Sequence, residues 1–108
     1  MAKIKANEAL VKALQAWDID HLYGIPGDSI DAVVDSLRTV RDQFKFYHVR
    51  HEEVASLAAG SYTKMTGKIG VALSIGGPGL VHLLNGMYDA KMDKVPQLIL
   101  SGQTNSTL

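Results

Sequence analysis

The chain has 108 residues, of which 46% are hydrophobic and 20% are charged. These values are typical of one globular domain, or of part of one. Eleven basic and eleven acidic side chains give a formal net charge of zero, which argues against a general nucleic-acid surface and an electrostatic membrane anchor. Cysteine is absent, so a disulfide framework and a thiolate metal site are excluded. The first five residues lack an apolar signal core, and the cytosol is the expected location.

Apolar residues recur at helical spacing in four segments, and four short runs read as strands. The predicted elements are a helix over 9–17, a strand over 21–25, a helix over 30–37, a strand over 46–49, a helix over 53–66, a strand over 69–75, a helix over 80–87 and a strand over 96–100. Asn7 is the predicted cap of the first helix, and Asp28 or Ser29 that of the second. Trp17 lies on the first apolar stripe, where core packing is expected. Residues 101–108 are expected to be loose.

The alternation of strands and helices predicts an α/β fold, a doubly wound parallel sheet with helices on both faces. Parallel strands place their carboxyl ends at one edge of the sheet, where such sheets bind ligands. The unusual residues of this chain cluster at those ends, at 24–28, 50–52, 76–79 and 101–103. The last strand has no following helix, which would leave one face of the sheet uncovered. The sequence therefore looks like part of a longer domain.

Glu52 and Glu53 stand where the second strand passes into the third helix. Acidic residues in a first helical turn usually complement the helix dipole. A carboxyl group that points into a poorly hydrated site instead has a raised pKa, and it can hold or share a proton near neutral pH. Both interpretations of this stretch are open from these residues alone.

The run Gly76-Gly77-Pro78-Gly79 allows a sharp turn and a close approach to a ligand. It has neither the spacing of a dinucleotide fingerprint nor the lysine of a phosphate loop. A plain strand-to-helix turn with proline near the first helical position is the alternative. The four histidines show no metal-ligand spacing, so no metal site is expected within the chain. Ser74 and Ser101 lack the elbow motif of hydrolase nucleophiles.

Four motifs together resemble a known family. They are Tyr-Gly-Ile-Pro-Gly at 23–27, Arg-His-Glu-Glu-Val-Ala at 50–55, Gly-Pro-Gly at 77–79 and Ser-Gly-Gln at 101–103. In order and approximate spacing they are similar to the N-terminal, pyrimidine-binding domain of thiamine-diphosphate enzymes. The pyruvate oxidases are most similar, and acetolactate synthases and pyruvate decarboxylases are more distant. The resemblance implies that residues 1–108 are part of that domain.

The resemblance also implies roles for individual residues. Glu52, ten residues before Tyr62, would be the catalytic carboxyl group that hydrogen-bonds N1′ of the aminopyrimidine and promotes formation of the ylid. The other residues implied to bind the cofactor are Gly27, Gly77, Pro78 and Gly79. Those implied to face the substrate are Asp28, Ser29 and Gln103.

The cofactor implied by the resemblance is thiamine diphosphate. Mg²⁺ would be bound through a domain absent from this chain, since the family's Gly-Asp-Gly…Asn motif for the metal and the diphosphate is missing here. FAD, in an oxidase, would be bound through another absent domain. The implied substrate is pyruvate or another small 2-oxo acid. A homodimer or homotetramer with the active site between subunits is expected, so that these residues alone would not catalyse.

The implied activity is oxidative decarboxylation of pyruvate. Many phosphate-using oxidases have glycine where this chain has Asp28, and an acid at this position resembles decarboxylases and quinone-linked oxidases. Gln103, in contrast, stands where decarboxylases carry paired histidines. The alternatives are carboligation or decarboxylation of the acetolactate synthase or pyruvate decarboxylase type, a non-catalytic nucleotide- or flavin-binding module of flavodoxin-like topology, and a purely structural pseudo-domain.

Overall fold

A computed structural model of the chain describes residues 3–107. Helices and strands alternate along these residues, with one short 3-10 turn at Asp28–Ile30 before the second helix. The elements are α1 (Ala6–Ala16), β1 (His21–Gly24), α2 (Asp31–Arg38), β2 (Lys45–His48), α3 (Glu52–Thr66), β3 (Gly70–Ser74), α4 (Pro78–Met92) and β4 (Gln97–Ser101). Among the described residues, no helix has both the length and the apolar character needed to cross a membrane.

The four strands form one parallel sheet in the order β2-β1-β3-β4. This confirms the predicted doubly wound α/β fold. The chain leaves β1 toward one side to form β2 and returns to form β3 and β4 on the other side. The point at which the strand order reverses therefore lies between β1 and β3, and open parallel sheets bind ligands beside the carboxyl ends of the strands at such a point.

Side chains of β3 show that helices cover both faces of the sheet. Val71 and Leu73 pack with residues of α1 and α2, whereas Ala72, which points the other way, packs with residues of α3 and α4. All five residues of β3 are buried, as its continuous apolar run predicts.

Small residues bring α3 unusually close to its neighbours. A Cβ placed on Gly70 would lie 2.0 Å from the carbonyl oxygen of Ala59, and one placed on Gly86 would lie 2.5 Å from the backbone nitrogen of Leu57. The backbone of α3 thus packs directly against β3 and α4. Because α3 and α4 both begin at the carboxyl edge of the sheet, this contact brings their first turns together.

The structure corrects three of the sequence predictions about α1 and α2. Asn7 does not cap α1: it lies inside the helix, and its side chain donates hydrogen bonds to the carbonyl oxygen of Ala32 and the hydroxyl of Ser36. Neither Asp28 nor Ser29 caps α2, whose N-cap position is Ile30. Trp17 is not in the core, since it is 71% exposed and follows the last residue of α1.

Candidate functional site

The loops that follow β1 and β3 meet at the point where the strand order reverses. The side chain of Ile75 lies between them. A Cβ on Gly27 would approach Cγ2 of Ile75 to 2.3 Å, and a Cβ on Gly79 would approach Cγ1 to 2.9 Å. The absence of side chains at these two glycines therefore lets both loops close on the same isoleucine, and the structure brings together two of the predicted cofactor-binding residues.

The turn from β3 into α4 leaves an open surface. Gly77 has a φ of 67°, in the left-handed region that favours glycine, and Pro78 follows as the first residue of α4. A Cβ on Gly77 would meet no atom within 4 Å. Gly77 and Pro78 are exposed, whereas Gly79 is buried. A flat ligand could lie against this turn without meeting a side chain from either glycine.

Glu52 is the first residue of α3, and its carboxyl group lies beside the same turn. The side chain is 14% exposed. Its Oε1 lies 3.5 Å from the position of a Cβ on Gly79, and its Oε2 lies 2.8 Å from Nδ1 of His82 in α4. The structure thus joins Glu52 to the glycine turn, as the sequence motifs imply, and adds a histidine that sequence reasoning did not connect with it.

A second histidine, His51, lies next to this pair. Its Nδ1 accepts a hydrogen bond from the backbone N–H of Glu53 at 3.1 Å, so His51 is the N-cap of α3. The ring stacks on that of His82 with 4.3 Å between centroids. When both rings are neutral, their hydrogen-bond partners require opposite tautomers of His51 and His82. His51 carries its proton on Nε2, whereas His82 carries its proton on Nδ1 and donates it to the Glu52 carboxylate.

The expectation of a raised pKa at Glu52 does not hold for the chain by itself. Burial raises the pKa of the Glu52 carboxyl group, but hydrogen bonds from His82 and from the backbone N–H of Glu52, with the charges of His82 and His51, outweigh it. The net result is a pKa below the ordinary glutamate value. The carboxyl group is therefore ionised at neutral pH.

His51, Glu52 and His82 also place three possible metal-ligating atoms within 4.8 Å of one another. The sequence did not reveal this cluster, because His82 is 30 residues from Glu52 and no local ligand spacing connects them. All three side chains are already engaged in hydrogen bonds, Oε2 of Glu52 with Nδ1 of His82 and Nδ1 of His51 with the backbone N–H of Glu53. The arrangement is accounted for as a hydrogen-bonded cluster.

The residues predicted to face a substrate lie at the same edge of the sheet. The hydroxyl of Ser29 accepts a hydrogen bond from the backbone N–H of Gly76 at 3.1 Å, and a Cβ on Gly102 would lie 2.3 Å from it. Asp28 and Gln103 are exposed. Ser29 therefore links the ends of three strands.

Sequence reasoning missed two residues of this site, Ile75 and His82. Ile75 reads as one more residue of an apolar strand, and only its position before the glycines distinguishes it. The sequence predicts that His82 is a partly exposed helical residue, and in the structure its side chain is 43% exposed. The one available signal is its position four residues after Pro78, which places it near the start of a helix that begins at the site.

Comparison with known proteins agrees with this geometry. A family model described as "Thiamine pyrophosphate enzyme, N-terminal TPP binding domain" matches residues 4–108. The chain is 57% identical over 106 residues to the "Putative thiamine pyrophosphate-containing protein YdaP" of Bacillus subtilis, covering 98% of the chain and 18% of that protein. It is 52% identical over 104 residues to the pyruvate oxidase of Lactiplantibacillus plantarum, covering 96% of the chain and 17% of that protein.

More distant similarity extends to acetolactate synthase. The large subunit from Buchnera aphidicola subsp. Schizaphis graminum is 36% identical over 108 residues, covering all of the chain and 19% of that protein. The chain thus spans less than a fifth of the length of these three relatives. The family match over nearly the whole chain, with the parallel sheet and the carboxyl group beside a glycine turn, leads to one conclusion. The chain belongs to the thiamine pyrophosphate enzyme family, as its N-terminal cofactor-binding domain.

Proposed function

We propose that this chain supplies the pyrimidine-binding half of a thiamine-diphosphate site, with Glu52 as its catalytic residue, in an enzyme that acts on pyruvate or another small 2-oxo acid. The observation that carries the proposal is the position of the Glu52 carboxyl group. It lies 3.5 Å from the Cβ position of Gly79, beside a turn whose Gly77 faces open space.

The residues of the turn fit an aminopyrimidine ring. A planar ring needs a surface without side chains, which Gly77 and Gly79 supply, and its ring nitrogen needs a carboxyl partner, which Oε1 of Glu52 can provide. Pro78 and Gly27 complete the proposed surface. Thiamine diphosphate, when bound, supplies a carbon nucleophile and an electron sink for decarboxylation of a 2-oxo acid. The part of Glu52 is to hold a proton at N1′ of the ring.

The substrate would lie beside the ends of β1 and β4. Asp28, Ser29 and Gln103 are proposed to face it, and the first two lie in the short turn that follows β1. The charge of Asp28 would disfavour an anionic second substrate such as phosphate in its neighbourhood.

The site would be completed by a second subunit of a homodimer or homotetramer. Six exposed apolar side chains on α3 and α4 support an interface, because large exposed apolar patches are uncommon on a free domain. They are Val54, Leu57, Val81, Leu84, Tyr88 and Met92. The diphosphate, Mg²⁺ and FAD would be bound by parts of the enzyme outside this chain.

Within the family, oxidative decarboxylation of pyruvate is the proposed reaction. It is supported by the 52% identity to a pyruvate oxidase, against 36% to the acetolactate synthase. The test is to supply the full-length protein with pyruvate, thiamine diphosphate, Mg²⁺ and FAD, with and without inorganic phosphate, and to follow flavin reduction. Reduced flavin, with acetate or acetyl phosphate as product, supports the oxidase. Acetolactate or acetaldehyde without flavin reduction would contradict it and support the alternative carboligase or decarboxylase.

The lowered pKa of Glu52 makes cofactor affinity depend on pH. The free site holds an ionised carboxylate, whereas the proposed complex shares one proton between that carboxylate and the ring nitrogen. Binding therefore takes up a proton, so the affinity falls as pH rises, by up to about tenfold per pH unit above neutrality. Calorimetric titration of the full-length apoprotein with thiamine diphosphate, in buffers of different ionisation enthalpy, measures this uptake. The Glu52→Gln variant should take up markedly fewer protons, and equal uptake in both proteins would contradict the prediction.

A further inference from the structure

The two oxygens of the Glu52 carboxyl group have different surroundings. Oε2 lies 2.8 Å from Nδ1 of His82, whereas Oε1 is the oxygen beside Gly79. Because a carboxyl group is planar, fixing Oε2 also fixes the direction of Oε1. The orientation of the group is thus set from α4, the helix that begins at the glycine turn.

We propose that His82 is a positioning residue: its imidazole holds Oε2 of Glu52 and so directs Oε1 toward the surface at which the aminopyrimidine would bind. This inference rests on the proposed function and adds a residue to it. His82 acts through Glu52, whose Oε2 it holds.

The surroundings of His82 restrict its movement. Its ring stacks against His51 with 30° between the ring planes. One turn further along α4, Gly86 lies so close to α3 that a Cβ there would approach the backbone nitrogen of Leu57 to 2.5 Å. The backbone that carries His82 is therefore held against the backbone that carries Glu52, and the hydrogen bond joins two helices whose separation is fixed.

The charges that face Glu52 agree with this role. His82 from α4, His51 from the loop after β2 and the backbone N–H of Glu52 all favour the ionised carboxylate and lower its pKa. A histidine that donates from Nδ1 keeps its Nε2 free, and His82 is 43% exposed. The imidazole can thus hold the carboxylate on its inner side while its outer side contacts solvent or a partner.

Two substitutions separate the hydrogen bond from the ring. His82→Phe keeps an aromatic ring that can stack on His51 but removes the donor. His82→Asn removes the ring but keeps an N–H group near the position of Nδ1. His48→Phe, the same substitution at an exposed histidine of β2, is the matched control, and Glu52→Gln reports on the proposed function itself. All variants are made in the full-length protein, with assembly and thermal stability measured for each.

The readouts are the dissociation constant of thiamine diphosphate, obtained by fluorescence titration of the apoprotein, and the exchange rate of the C2 hydrogen of the bound cofactor in D₂O. We expect His82→Phe to weaken binding and slow exchange by roughly ten- to a hundredfold, the loss expected for a hydrogen bond to a charged group. His82→Asn should recover both to within about threefold of the unmodified protein, and His48→Phe should change neither.

Each outcome decides the proposal. If His82→Phe binds and exchanges as the unmodified protein does, or if His82→Asn is as impaired as His82→Phe, the hydrogen bond has no positioning role. Should His82→Phe fail to assemble, recovery in His82→Asn still supports the role and its absence still contradicts it. If exchange is also normal in Glu52→Gln, the proposed function fails rather than this inference alone.

Discussion

Glu52→Gln lowers the turnover of the full-length enzyme by roughly 10²–10⁴-fold, the range expected when a positioned acid–base group is lost. Glutamine has nearly the same size, and its side-chain oxygen can still accept the hydrogen bond from Nδ1 of His82. The substitution therefore leaves the fold intact and removes only the charge and the proton that the carboxyl group would hold at the cofactor ring. Steady-state kinetics with pyruvate at saturating thiamine diphosphate measure the effect.

Glu53→Gln is the control for this prediction. Both carboxyl groups are in the first turn of α3, so a role limited to the helix dipole would make the two substitutions equivalent, at about 0.3–1 kcal/mol of stability each. We expect Glu53→Gln to keep turnover within about threefold, because a loss of about 1 kcal/mol of stability leaves a protein of ordinary stability almost fully folded. Equal and small losses in both variants would favour the dipole interpretation and a non-catalytic domain.

Gly86→Ala destabilises the fold by about 1–3 kcal/mol, the range for overpacking a close contact. The new Cβ would lie 2.1 Å from the hydroxyl of Ser56, which could rotate, but also 2.5 Å from the backbone nitrogen of Leu57, which could not. The helices α3 and α4 would have to separate. We expect this loss of stability even though alanine has the higher helix propensity, which by itself would stabilise the helix by about 1 kcal/mol.

Gly60→Ala is the matched control on the facing helix. Its Cβ would lie 3.3 Å from Nε2 of Gln97, the end of a flexible side chain, and 3.7 Å from Cβ of Ala90. We expect no loss, or a gain of up to about 1 kcal/mol from propensity. Urea denaturation of both variants at equal protein concentration gives the comparison. A loss at Gly60 as large as that at Gly86 would show that the contact distance is not the cause.

The fold could be predicted because its signals are local. The apolar run at 69–75 contains β3, Gly70–Ser74, and Gly67, which ends α3 in the left-handed conformation, marks the end of that helix. Trp17 shows the limit of such patterns. A helical stripe predicts which side of a helix faces the core, but not where the helix extends beyond its neighbour, and Trp17 follows the last residue of α1.

The site was only half predictable for a related reason. The motifs at 50–55 and 77–79 indicate Glu52 and the glycine turn, but the contact between Glu52 and His82 depends on how two helices pack. That packing is set by Gly86, one turn further along α4, and its closeness cannot be read from the spacing of residues. The direction of the pKa shift at Glu52 was missed with it, since burial alone predicts a rise and the histidine reverses it.

The parallel sheet also has a kinetic consequence. Its central pairing joins Tyr23 of β1 to Ala72 of β3, about fifty residues away, and a contact so distant in sequence is slow to form because a long loop must be closed first. The loops that carry Gly27 and Gly79 meet at Ile75 only when this closure is complete. A partly folded chain should therefore have no affinity for the cofactor, and cofactor addition during refolding should stabilise the final product without accelerating its formation.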